Sequence, residues 1–393
     1  MSGDVCFHNA VVYNGYSMMK NCAVLIRDDK IVDVFNEERF FQKKFDDSTR
    51  LIDVKGCSIA PGFIDTHIHG FGGYGTEDCS AKSILKMSEG LAKWGVTSFI
   101  PTLYSEKKDK MIRGIRAIVK AMGKEKGAKI LGIHLEGPFI SPARLGVQSP
   151  DTVSPVDLNL MEELWNASEG HIINMTLAPE IKNMRELALY CISKGIVMQA
   201  GHTNATYKQM IEGMQARIMH VTHLFNAMSR MHHRDPGAVG AVFIHPELSC
   251  EIIADGIHID SEIIKFLLTC KSLDKVVLVT DALKPTKQKH GPLFANGEEV
   301  YLDKCFYRKS DNVIAGSALT MIDSVKNIVS YGFRLEEAIH MASTNPARIM
   351  KQDNLGVIAP GYDADLVILS DKLKVKYTII KGQIYEKGKL VCA

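Results

Sequence analysis

The sequence predicts an α/β fold: a (β/α)8 TIM-like barrel carrying a small β-sandwich built from both chain termini. Three observations predict it. Eight short β-rich apolar runs alternate with longer helical stretches through the middle of the chain. Nearly every run ends on a histidine or a carboxylate. Both ends of the chain read as short strands punctuated by turns.

Taken in order, residues 1–60 supply the first part of the sandwich, in VCFHNAVVYNG, NCAVLIRDDKIVDVF and STRLIDVKGCSIAPG. Residues 61–354 supply the barrel. Its strands are expected in GFIDTHIH (62–69), VTSFIPTLY (96–104), AKILGIHLEG (128–137) and HIINMTLAP (171–179). The other four are GIVMQAGH (195–202), ARIMHVTHLF (216–225), SCEIIADGIH (249–258) and KVVLVTDA (275–282). Between them lie helical patterns such as SAKSILKMSEGLAKWG (80–95) and NMRELALYCISKG (183–195), the latter closed by a glycine C-cap signal. Residues 355–393, in LGVIAPGYDADLVILS and LKVKYTIIKGQIYEKGKLV, complete the sandwich, since neither end is long enough to fold well alone.

The bulk numbers exclude several function classes. A net charge of +2 gives no electrostatic basis for nucleic acid or an anionic membrane as partner. No run of about eighteen apolar residues is present, so no membrane span is expected. The N-terminal stretch lacks the basic-then-apolar layout of a signal peptide. Nine cysteines without a CxxC pair suit a reducing compartment, so the expectation is a cytoplasmic protein. The sequons at Asn166, Asn174 and Asn204 are then chance matches.

In a barrel, the C-terminal ends of the strands face the active site. Here those ends carry His67 and His69, Glu136, His202, His223, His258 and Asp281. Residues two apart on a strand share a face, so His67 and His69 point inward together. A single strand-end histidine is more often a hydrogen-bonded core residue, and His134 and His220 are assigned that role. The convergence of the others suits zinc or a similar divalent ion, and a buried Glu136 without a cation would be costly. Gly137 and Pro138 take the chain out of the strand directly after Glu136. The fourth run offers no lysine near its end, which argues against a two-ion hydrolase bridged by a modified lysine. A bound ion lowers the pKa of water from about 15.7 towards about 7 and polarises a carbonyl. Asp281 is placed to take the water's proton and return it to the leaving group. Its alternative role is a helix N-cap in TDALKP.

The motifs PGFIDTHIHG, HLEGPF, GHTNA, THLFNAM, DGIH, TDA and GVIAPGYDADLVIL resemble the amidohydrolase superfamily. More narrowly, HLEGPF with THLFNAM resembles its N-acetylglucosamine-6-phosphate deacetylases, over about residues 5–385. The resemblance implies a homodimer that removes acetate from N-acetyl-D-glucosamine 6-phosphate. It implies Glu136, His202 and His223 as main metal ligands, His67 and His69 as ligands of a second ion, and Asp281 as catalytic acid/base. Asn226, Ala227 and His258 would contact the sugar phosphate, with Val147, Ile314, Ala315 and Gly316 lining the substrate. Arg234 would reach the phosphate across the dimer interface, where a guanidinium fork suits a phosphomonoester. The metal expected is Zn2+, one or two per subunit, with Fe2+, Mn2+ and Co2+ also accepted by such ligands.

One position departs from the family's pattern. Where the family carries a histidine that polarises the amide carbonyl, Gly146-Val147-Gln148 places a glutamine, which donates a hydrogen bond but does not titrate. Loss of such a donor costs about 10²–10³ in rate, and glutamine would keep part of that. The expectation is a slower deacetylase or a shifted substrate. The competing readings are an amidohydrolase acting on another amide and a catalytically weak or inactive phosphosugar-binding homologue.

Overall fold

The computed structural model describes residues 4–392; residues 1–3 and Ala393, at the outer limits of the expected sandwich segments, lie outside them. Eight strands form the centre: β1 Phe63–Ile68, β2 Val96–Leu103, β3 Ile133–Glu136 and β4 Ile172–Leu177. They continue as β5 Val197–Ala200, β6 His220–Val221, β7 Ser249–Ile253 and β8 Val276–Val279. Each pairs in parallel with the next. The ring closes just past β8: Ile68 bridges Ala282 in parallel, and the Asp281 N–H donates to the His67 carbonyl at 2.9 Å. Asp65 on β1 accepts the Thr280 hydroxyl at 2.6 Å across the same seam. Each of the eight apolar runs contains one of these strands.

The strands read as continuous apolar runs because helices cover the outer face of a parallel barrel. Every residue of β1, β2, β3, β6, β7 and β8 is buried. The covering helices include Ala81–Ala92, Lys108–Ala121, Leu158–Ala167 and Met184–Ser193, which give Met87, Ile115, Leu164 and Leu187 to the main core. The helix Tyr207–Gln215 opens on a capping box, with Thr206 and Gln209 each satisfying the other's backbone N–H.

Strands from both ends of the chain form one nine-stranded sheet. The C-terminal strand Leu366–Ser370 runs antiparallel to the N-terminal strand Cys57–Pro61, which joins the two groups. One apolar core runs along most of the ladder, from Ile31 and Val24 through Ile59 and Ile368 to Ile384. Lys129, just before β3, ties the barrel to this sheet through Asp363 at 3.1 Å and through the buried Asp365.

One element lay outside the sequence reading. Between β8 and the helix Met321–Ser330 a four-stranded antiparallel sheet is inserted, and its last strand, Ile314–Gly316, returns to the barrel mouth. There the Ser317 N–H donates to the Asp281 carbonyl at 3.0 Å.

Candidate active site and metal centre

The strand ends converge on one buried cluster. His202, His223 and Asp281 each lie two residues beyond the end of a short strand, and all three hold positive φ (45°, 25° and 48°), a conformation that non-glycine residues rarely adopt. Gly201 permits the turn into His202, because a Cβ there would lie 2.7 Å from side-chain atoms of both Thr176 and Thr222. Asp281 is therefore not an N-cap; its carboxylate turns into the barrel mouth, 3.4 Å from His69 Nε2 and 3.6 Å from His67 Nε2.

Two triads result. In the first, Glu136 Oε1 lies 3.1 Å from the Nε2 atoms of both His202 and His223, which are 3.2 Å from each other. The second is His67, His69 and Asp281, with its ligand atoms, like those of the first, all within 4.8 Å of one another. Glu136 stands between them: its Oε1 is 3.3 Å from His67 Nε2 and its Oε2 is 3.4 Å from His69 Nε2.

These donors fit divalent cations. Sides of 3.1–3.2 Å match the edges of a tetrahedron with bonds of about 2.0 Å, the usual length for zinc on imidazole and carboxylate. The ring orientations fit too. The Nδ1 atoms of His69 and His202 lie 3.2 and 3.1 Å from the carbonyls of Thr102 and Arg144, and His67 Nδ1 lies 3.0 Å from Glu251. With each Nδ1 facing an acceptor, each Nε2 is left to face the cluster, the arrangement of metal-binding histidines. His67 Nε2 is buried with no hydrogen-bond partner.

Electrostatics agree. Burial pushes the Glu136 carboxyl up, but His202 and His67 outweigh it and hold the group well below the usual carboxylate range. Asp281 is likewise held low against burial, by a hydrogen bond from His69 and the charges of His67 and His69. Burial disfavours a charged His67, yet Glu251 and Glu136 push its pKa well above that of an ordinary imidazole. The carboxylates thus demand positive charge, which protons supply when a metal does not. His134 is a barrel-lining residue, hydrogen-bonded to the Thr102 and Thr176 hydroxyls and driven neutral by burial.

Above the cluster opens a cavity of about 280 Å³. Its wall brings together Glu136, Val147, His202, His223, Asn226, Ala227, His258, Asp281 and the stretch Ile314–Gly316. Two of the residues expected to bind substrate are not on that wall. Arg234 is exposed, with its guanidinium 3.1 Å from His233 Nε2, and does not reach the cavity of its own chain. Gln148 is buried behind Glu136: its amide N–H donates to Glu136 Oε2 at 2.7 Å and its carbonyl oxygen accepts the Ser105 N–H at 3.0 Å. Its amide thus faces Glu136, where the sequence pattern expected it to face a substrate carbonyl.

Three features escaped the sequence reading. Asp281 belongs to a candidate ligand triad as well as to the cavity wall. Tyr104 lines the cavity and stacks on His69, ring centroids 3.8 Å apart; its place at the end of the second apolar run was the available signal. Glu251, inside the barrel under His67, gave none.

The amidohydrolase family profile matches residues 58–385. The chain belongs to the amidohydrolase family. Amidohydrolases depend on divalent metals, and among the described residues the two triads are the candidate groups to hold them. The chain is 34% identical to an N-acetylglucosamine-6-phosphate deacetylase of Lysinibacillus sphaericus, over 85% of this chain and 87% of the relative. It is 31% identical to an N-acetylgalactosamine-6-phosphate deacetylase of Escherichia coli O157:H7, over 83% and 87%. The crystal structure of N-acetylglucosamine-6-phosphate deacetylase from Pasteurella multocida superposes with a TM-score of 0.90 at 29% identity, covering 98% of this chain and all of that one.

Proposed function

We propose that the protein hydrolyses the acetamide of N-acetyl-D-glucosamine 6-phosphate to D-glucosamine 6-phosphate and acetate. The observation that carries this reading is Asp281, on the cavity wall and within 3.4–3.6 Å of His69 and His67, beside a ligand cluster centred on Glu136. The relatives' own activities supply the substrate class.

Glu136, His202 and His223 would hold one divalent ion, and His67, His69 and Asp281 a second, with Glu136 between them; zinc is the metal proposed first. When bound, such an ion lowers the pKa of water and polarises the amide carbonyl. Asp281 accepts the proton released as the C–O bond forms and delivers it to the nitrogen as the C–N bond breaks. Asn226, Ala227 and His258 orient the sugar phosphate, and the main chain at Ile314–Gly316 with Val147 walls the ring. His258 is itself held by Asp255, 2.6 Å from its Nδ1.

No lysine or arginine lines the cavity. A phosphate dianion there needs a cation from elsewhere, which supports a homodimer in which Arg234 of each chain serves its partner's site. Eight cysteines with described side chains are all free, which supports a cytoplasmic location. No helix among the described residues is long and apolar enough to cross a membrane, and the net charge of +2 favours no nucleic-acid partner. The same reading divides the chain into a catalytic barrel, 61–354, and a supporting sheet domain from 1–60 and 355–393. No feature of the site favours an inactive sugar-phosphate binder.

The test is acetate release by zinc-reconstituted protein from N-acetylglucosamine 6-phosphate and from its galactosamine epimer, beside D281N. Release from the first substrate, abolished in D281N, is expected. Release only from the epimer would move the substrate, and release from neither would overturn the reading.

A further inference from the structure

Glu251 is fully buried on β7, inside the barrel, and does not line the cavity. A carboxylate so placed is costly unless paired. Its Oε2 lies 3.0 Å from His67 Nδ1 and accepts the His223 main-chain N–H at 3.3 Å. The nearest other basic atom, His220 Nε2, is 3.8 Å from Oε1, which has no hydrogen-bond partner. Glu251 therefore grips one residue from each triad.

The chemistry of the contact is directional. An ionised carboxylate only accepts, so the proton of His67 is drawn to Nδ1 and the Nε2 lone pair is left facing Glu136 and Asp281. His69 and His202 have neutral carbonyl partners at the equivalent atom, whereas His67 has a charged one, which makes its imidazole the more basic ligand. The second contact pins the His223 backbone, held at φ 25°, and so sets the spacing between the triads.

We propose that Glu251 is a positioning residue that commits His67 to the second cation site and registers that site against the first. The proposal rests on the two-ion reading above. It goes beyond the ligands to the group that makes one of them a ligand.

The experiment is zinc titration of chelator-stripped protein, with zinc counted by mass spectrometry and affinities read by competition with a chromogenic chelator. Wild type is expected to take up two ions and H67Q one. E251Q keeps an acceptor for the His67 Nδ1–H but loses the charge, so its second ion is expected to bind about 10- to 100-fold more weakly, with the affinity of the first ion unchanged. E251D keeps the buried charge, so it preserves the fold if E251Q does not, but withdraws the carboxylate by one methylene. Its second ion is expected to bind about 10- to 100-fold more weakly. Two ions at wild-type affinity in both variants would overturn the proposal alone. So would equal weakening of both ions, which marks a general structural role. One ion in wild type would overturn the two-ion reading and this proposal with it.

Discussion

The side-chain amide of Gln148 donates to Glu136 Oε2 at 2.7 Å, while its oxygen holds the Ser105 N–H at 3.0 Å. The glutamine thus fixes the rotation of the carboxylate that stands between the two triads. If position 148 polarised the substrate carbonyl, Q148H would raise turnover by supplying an imidazole there. With the side chain aimed at Glu136, no gain in kcat is expected from Q148H. Q148L should lower the thermal midpoint, since each buried group left unpaired costs about 1–3 kcal/mol. A higher kcat in Q148H would restore the substrate-polarising role.

Metal removal should change how stability responds to pH. In metal-free protein His67 has a raised pKa, so its contribution is complete below 6.5 and is lost as pH rises through the folded value. Asp65, pushed up to about 7 by burial against the pull of its Thr280 hydrogen bonds, adds a loss as pH climbs from 3.8 towards that value. Glu136 and Asp281 act oppositely: they stabilise above 4.5 and 3.8 and lose this as pH falls through their lowered values. The stripped protein should therefore be most stable in mild acid and weaken towards alkaline pH, and zinc should recover stability mainly on the alkaline side. Melting curves across pH 5–9, with and without zinc, check this; a stripped protein that gains stability up to pH 8 contradicts it.

Arg234 is exposed and outside its own cavity. If it serves a partner's phosphate, R234A should raise KM by about 10- to 100-fold with little change in kcat, the loss of a hydrogen bond to a charged group. Mixing R234A with D281N subunits should restore activity in part, because one site of the mixed dimer is complete. An unchanged KM would remove the residue from the substrate.

Lys129 joins the barrel to the terminal sheet by pairing with Asp365, a carboxyl that burial pushes up and Lys129 pulls back. K129M leaves that carboxyl without its cation and should cost about 3–5 kcal/mol. Denaturant unfolding reads it, and K129M with D365N should recover part of the loss. Equal stability of wild type and K129M would show that the sheet is held by its apolar contacts alone.

The eight strands and the residues at their ends were legible because both signals are local. A buried parallel strand is a short apolar run, and the residue that ends it lies at the barrel mouth. Hence Glu136, His202, His223, His67, His69 and Asp281 could be named from sequence, and they converge. What the sequence left open is which atom of each side chain faces which neighbour. Glu251 meets His67 across 184 positions, and its surroundings in SCEIIADGIH look like any strand interior. Gln148 sits in a loop whose length and composition do not say whether its amide faces substrate or ligand; only the packing of Ser105 and Glu136 around it decides. The sequence determined the barrel strands and the candidate ligands through apolar runs and strand ends. The tertiary structure decided tautomer, carboxylate rotation and the division into two triads, because those depend on hydrogen bonds between strands distant along the chain.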